Sequence, residues 1–135
     1  MDMKQDKIME KYRYPIYRKK IKQFVEQYAG REDGFLQWAS GENPFCGDSL
    51  RIGVWLSGSQ KDIIQDICYD GYGCSLCIAS AETLLEAIKG SEVSTAEKIN
   101  IPEILYRLGN ISISRTRMKC VELPITILGR ALQKS

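Results

Sequence analysis

Five cysteines and no histidine limit the reactive or metal-binding chemistry open to this chain. Cys46 stands in NPFCGDSLRI, between a proline turn and a Gly-Asp pair, two residues before the carboxylate of Asp48. Cys74 follows the glycines of GYGC, and Cys120 closes RTRMKC. With no imidazole as partner, a thiol that does chemistry here must recruit other thiols or a carboxylate. Three thiolates and one carboxylate make four ligands, a set that suits zinc or an iron-sulfur cluster. The residue types argue for this more strongly than the spacing does, because long stretches separate the three thiols and no compact C-x2-C…C-x2-C pattern is present. Cysteines buried as small apolar residues are the plain alternative and, on composition alone, the favoured one.

Cys68, within IIQDICYD, and Cys77, one helical turn past Cys74, read as packed residues, with Cys77 an occasional substitute ligand. CSLC also spells the C-x-x-C of thiol-disulfide enzymes, which leaves a redox reading open, although the aromatic-Gly-Pro middle usual in the thioredoxin family is missing.

For distant side chains to meet, each must sit at the end of an element, and the periodicity places them so. Leu50, Ile52, Val54 and Leu56 alternate with Arg51, Gly53 and Trp55, the period of a half-buried strand. SGSQ turns the chain and KDIIQDICYD returns, which predicts a hairpin over 48–70 with a loop of about four residues. After GYGC, SLCIASAETLLEAIKG is an apolar helix that Gly90 is placed to end. Cys74 then falls at a helix N-terminus, where orphan N–H groups and the positive end of the dipole stabilise negative charge. That makes it a better ligand or nucleophile than a mid-strand cysteine.

Elsewhere, Pro15 predicts the start of a helix whose stripe of Tyr17, Ile21, Phe24, Val25 and Tyr28 closes at Gly30, with another helical piece ahead of it. FLQWAS, Phe35 to Ser40, reads as a short strand, and a short helix is expected from near Pro102. NISISRTRMKC reads as a polar loop carrying Cys120, followed by a last helix from about Pro124 in which Gly129 is a mild weakness. The expectation is an α+β fold, with a small antiparallel sheet of about three strands packed against several helices. The length fits a single domain over residues 1–135.

The net charge of +2 is too small to imply a nucleic-acid partner. YRKKIK, Tyr17 to Lys22, is the one dense basic run. Its apolar residues recur at helical spacing, so it reads as the solvated face of a helix, with a protein-docking surface as the second reading. No apolar stretch approaches the roughly eighteen residues that span a bilayer, and MDMKQDKIMEKYRYP does not read as a signal peptide. A cytoplasmic location with no membrane partner follows as the expectation, and there the cysteines stay reduced.

Taken together, NPFCGD, then IIQDICYDGYGC running into SLCIASAETLLEAIKG, then RMKC resemble the U-type iron-sulfur scaffold family, the IscU, SufU and NifU N-terminal domains. The resemblance covers about residues 41 to 133, with a fainter echo in IMEKYRYP. It implies that Cys46, Asp48, Cys74 and Cys120 form an assembly site in an IscU/SufU-like fold. It also implies that a cysteine desulfurase delivers sulfur there, and that a transient [2Fe-2S] cluster is built and passed to iron-sulfur acceptor proteins, with Zn²⁺ as the alternative occupant. Lys119 stands where IscU and NifU domains carry histidine, which is similar to the SufU branch, yet the stretch from Cys74 to Cys120 is short for the SufU insertion. SRTRM replaces the Leu-Pro-Pro-Val-Lys segment through which IscU meets its chaperone, which argues against an Hsp70-type partner. The alternative is a SufU-type zinc-dependent relay, in which Cys120 accepts persulfide and activates the desulfurase, with Lys119, Arg117 and Arg115 as electrostatic support. A scaffold needs no turnover of its own, whereas the relay is a sulfurtransferase. A zinc-stabilised adaptor that only docks a partner is the third reading.

Overall fold

The computed structural model describes residues 10, 12, 14–44 and 47–133. Strands β1 (Phe35–Asn43), β2 (Asp48–Ser57) and β3 (Ile63–Tyr72) form an antiparallel sheet in the order β1-β2-β3. Helix α1 (Ile21–Tyr28) precedes the sheet, and α2 (Ser75–Ile88), α3 (Val93–Ala96), α4 (Ile101–Arg107) and α5 (Arg115–Gln133) follow it. This is the expected α+β architecture. The β2–β3 hairpin and α2 lie where periodicity put them, and β1 runs three residues beyond FLQWAS. Near Pro102, α4 starts with the Asn100 side chain accepting the Glu103 N–H at 3.1 Å. None of the described helices is long and apolar enough to cross a membrane.

Alternation along β2 sends Leu50, Ile52, Val54 and Leu56 into one buried core with Leu84, Leu85 and Ile88 of α2 and Ile127 and Leu128 of α5. Asp48 continues the same alternation, so it falls on the helix-covered face. The strand is not half-exposed as expected, because α1 covers the opposite face. There Trp55, only 1% exposed, packs with Cys68, Ile21, Phe24 and Tyr28, and the Tyr28 ring stacks on it at 4.5 Å between centroids. Burial pushes the Cys68 thiol up to about 12, which leaves it a neutral packing residue on the face away from Asp48.

The helix expected from Pro15 begins only at Ile21. Tyr17 to Lys19 pair instead with the outer edge of β3: the Lys19 N–H donates to the Tyr69 carbonyl at 3.0 Å, and the Tyr69 N–H to the Tyr17 carbonyl at 3.2 Å. An edge strand needs partners for its backbone groups, and that non-local demand outweighs helical spacing. Of the basic run, only Lys22 lies on a helix face, and Arg18 to Lys20 do not. Arg18, Lys19, Lys20 and Lys22 line an open cleft with Arg51 and Asp70. The helical piece expected ahead of Pro15 lies outside the described residues except for Glu10, Tyr12 and Tyr14.

Lys20 gives α1 no side-chain cap, and Asp70 of β3 replaces it by accepting the Ile21 N–H at 2.7 Å while holding both Arg51 nitrogens at 2.7 and 2.6 Å. The half-exposed Arg51 adds little to stability, and the buried cap is the main contribution. Asp70→Ala is expected to cost about 1–2 kcal/mol in urea unfolding; a loss within experimental error would show the cap to be redundant.

Candidate metal centre

Asp48 opens β2, Cys74 caps α2 and Cys120 lies in the second turn of α5, yet one ligand atom from each falls within 4.8 Å of the others. Cys74 sits in extended conformation with φ −67° and ψ 166°, and its Sγ accepts the Cys77 N–H at 3.4 Å. Its own N–H donates to Asp48 Oδ1 at 2.9 Å, which ties the start of α2 to the start of β2. Gly73 makes this closure possible. A Cβ there would lie 3.1 Å from Asp48 Oδ1 and 3.0 Å from Cys77 Sγ.

Cys120 is not in a loop, and the last helix does not wait for Pro124. Helix α5 begins at Arg115, where Ser114 Oγ accepts the Arg117 N–H at 3.3 Å, and it runs through Pro124. The cap spelled by Ser114 and packing against β1, β2 and α2 outweigh the proline. Pro124 has no N–H to return to the carbonyl four residues earlier, which is that of Cys120 itself.

Asp48 and Cys120 are each 1% exposed, and Cys74 is half-buried. Asp48 Oδ2 has no hydrogen-bond partner among the described residues. A buried carboxylate oxygen without a partner, beside two thiols, fits a cation better than an apolar core. Cys46, the fourth expected ligand, lies outside the described residues. Cys68 and Cys77 are both buried, as the packing reading had them.

Two contributors escaped the sequence reading. Asn43 is directly opposite Asp48 across the β1–β2 pair, 5% exposed, and its Nδ2 also lacks a partner among the described residues. The sequence reading ended the first strand at Ser40, so it had no register in which Asn43 could face Asp48. Gly73 was visible only as one of two glycines before Cys74.

Arg115, Arg117 and Lys119 are exposed, and the first turn of α5 holds no acidic residue. Cations near a helix N-terminus oppose its dipole, so this placement costs helix stability and leaves positive charge beside Cys120. Lys119 borders an open cleft of about 300 Å³ with Asn43, Pro44, Glu122 and Arg130.

Among known proteins, the family described as NifU-like N terminal domain matches residues 3–134. The chain is 44% identical over 54 residues to the zinc-dependent sulfurtransferase SufU of Bacillus subtilis, an alignment covering 40% of this chain and 35% of that one. It is 35% identical over 65 residues to the iron-sulfur cluster assembly scaffold protein IscU of Buchnera aphidicola subsp. Acyrthosiphon pisum, covering 48% and 50% respectively. The matched stretches thus span half or less of these relatives' own length. The solved structure of FiSufU from Fervidobacterium islandicum shares the fold, with a TM-score of 0.57 at 23% identity over 82% of this chain and 95% of that one.

Proposed function

Because this chain belongs to the family of NifU-like N-terminal domains, we propose that it is an iron-sulfur assembly scaffold working as a single domain in the cytoplasm. It receives sulfur from a cysteine desulfurase, gathers a [2Fe-2S] cluster as cargo on Cys46, Asp48, Cys74 and Cys120, and hands it to acceptor proteins. The convergence of Asp48, Cys74 and Cys120 within 4.8 Å carries this reading.

Three thiolates and a carboxylate around a doubly charged core sum to minus two, and Lys119 with Arg117 and Arg115 offsets that charge and draws in anionic persulfide. Asp48 supplies lability. A hard oxygen donor holds a soft iron-sulfur core less firmly than a thiolate does, so one corner of the site exchanges readily. Asp48→Cys is therefore expected to slow cluster transfer to an apo-acceptor by at least about tenfold, followed by circular dichroism in the visible range. Equal transfer rates from variant and parent would remove this role.

Zinc fits the same donors, with Asp48 Oδ2, which has no hydrogen-bond partner among the described residues, and the two thiols joined by Cys46. Bound there, it would keep the sulfurs deprotonated and together. The likeness to a zinc-dependent sulfurtransferase and the basic residue beside Cys120 favour a second reading, in which Cys120 accepts persulfide and relays it. Anaerobic incubation with ferrous iron, cysteine and a cysteine desulfurase separates the two. A coloured cluster on the chain supports the scaffold, and desulfurase stimulation that depends on zinc supports the relay. Neither outcome would leave an adaptor and overturn both.

A further inference from the structure

The assembly reading leaves Cys77 without a task, although it lies against the site. Cys74 caps α2 and Cys77 is its third residue, with the Cys77 N–H directed at Cys74 Sγ. Cys77 is fully buried, while Cys74 is half-buried. Cys77 belongs to the main core cluster, yet its sulfur also reaches the edge of that core nearest the site. It lies over Gly73, at the same point that Asp48 Oδ1 approaches, which puts it on the metal-centre side of the helix. Cys74 Sγ already lies 3.4 Å from the Cys77 nitrogen, so the Cys74 side chain folds over the first turn that carries Cys77, and a disulfide needs Cβ atoms about 3.8 Å apart. The first turn, where the N–H groups have no helical partners, is the part of the helix freest to move and bring the two sulfurs together.

The chemistry of sulfur delivery gives such a pair work. Sulfur handed over as persulfide is sulfane sulfur, formally at oxidation state zero, whereas a cluster takes up sulfide. Two electrons per sulfur must come from somewhere. Resting on the proposed delivery of sulfur to this site, we propose that Cys74 and Cys77 form a persulfide-reducing dithiol. Sulfane sulfur arrives on Cys74, directly or from Cys120, whose ligand atom is within 4.8 Å. The Cys77 sulfur then bonds to Cys74 Sγ, the bond between Cys74 Sγ and the outer sulfur breaks, and that sulfur leaves as hydrosulfide with the proton of the Cys77 thiol. The two cysteines lose two electrons in becoming a disulfide, and the sulfane sulfur gains them. A dithiol reductant restores both thiols for the next cycle. The half-buried partner takes the sulfur and the sealed one resolves it, so the hydrosulfide is released beside Asp48 and Cys120, and Cys74 rejoins them as a ligand once the disulfide is reduced.

The test uses the full chain, reduced, loaded anaerobically with inorganic polysulfide, desalted, and then followed with no added reductant. Hydrosulfide is read by methylene blue, retained sulfane sulfur by cyanolysis, and disulfides by mass spectrometry of the thiol-blocked digest. The parent should release at least about tenfold more hydrosulfide than Cys77→Ser or the smaller Cys77→Ala, as an intramolecular resolving thiol implies, and should show a Cys74–Cys77 disulfide. Both variants should keep their sulfane sulfur. Equal release from parent and variants, or a Cys74–Cys120 disulfide in its place, would overturn the proposal while leaving sulfur acceptance standing. Failure of every form to take up sulfane sulfur would overturn both. The disulfide map of the parent does not depend on how well either variant folds.

Discussion

Cys120→Ser is expected to leave a folded chain that no longer holds zinc or a cluster. The change is nearly isosteric, and a serine hydroxyl within a helix can donate to the carbonyl of the preceding turn, so α5 should persist. The metal site loses a soft, ionisable donor and receives a hard hydroxyl that stays protonated. Losing only a supporting partner of a ligand costs about 10–100-fold in affinity, and losing the ligand itself should exceed that. Competition with a chromophoric chelator measures the drop. Cys68→Ser is the control. It places a hydroxyl in the α1 cluster, away from the site, and should lower stability by about 1–3 kcal/mol while metal binding stays intact. Metal retained by Cys120→Ser and lost by Cys68→Ser would reverse the assignment.

Gly71→Ala is expected to be the most damaging single substitution for the fold around the site. Gly71 has φ +115°, and a Cβ there would lie 2.1 Å from the Ser49 carbonyl oxygen and 3.0 Å from Leu50 Cα. Both obstacles are backbone atoms of the paired strand β2, which cannot rotate aside, and they adjoin Asp48. Backbone strain and overpacking together should cost about 3–5 kcal/mol. Zinc affinity should fall with it, because β2 and β3 deliver Asp48 and the lead into Cys74. Gly129→Ala, within α5 and with no atom of the described residues outside the adjoining helix backbone within 4 Å of the added Cβ, should instead stabilise by about 0.5–1 kcal/mol. Urea unfolding of the two variants beside the parent reads both effects, and a Gly71→Ala chain as stable as the parent would show that the hairpin has room the structure denies it.

Elements governed by local rules were legible in the sequence. Alternation through Leu50 to Leu56, the SGSQ turn, the glycines before Cys74 and the apolar run to Gly90 each specify their own conformation, and with them the position of Cys74 as a cap. What failed depended on partners distant in the chain. Nothing between Pro15 and Lys20 reveals that β3 will leave an edge needing Tyr17 and Lys19, or that Asp70 will cap α1. Cys120 was misplaced into a loop for a related reason. Ser112, Ser114 and three cations read as polar linker, and Pro124 reads as a helix start, until packing on β1 and α2 carries the helix through both. Of the site, Asp48, Cys74 and Cys120 could be named from residue types. Their convergence, and the burial of Asn43 opposite Asp48, depend on register and layer packing that spacing does not encode.

The most direct measurement is zinc K-edge X-ray absorption of the zinc-loaded chain, which counts the neighbours of the metal. The account predicts three sulfur neighbours at about 2.3 Å and one oxygen at about 2.0 Å, with the oxygen replaced by a fourth sulfur in Asp48→Cys. A shell of oxygen or nitrogen alone, or four sulfurs in the parent chain, would contradict it.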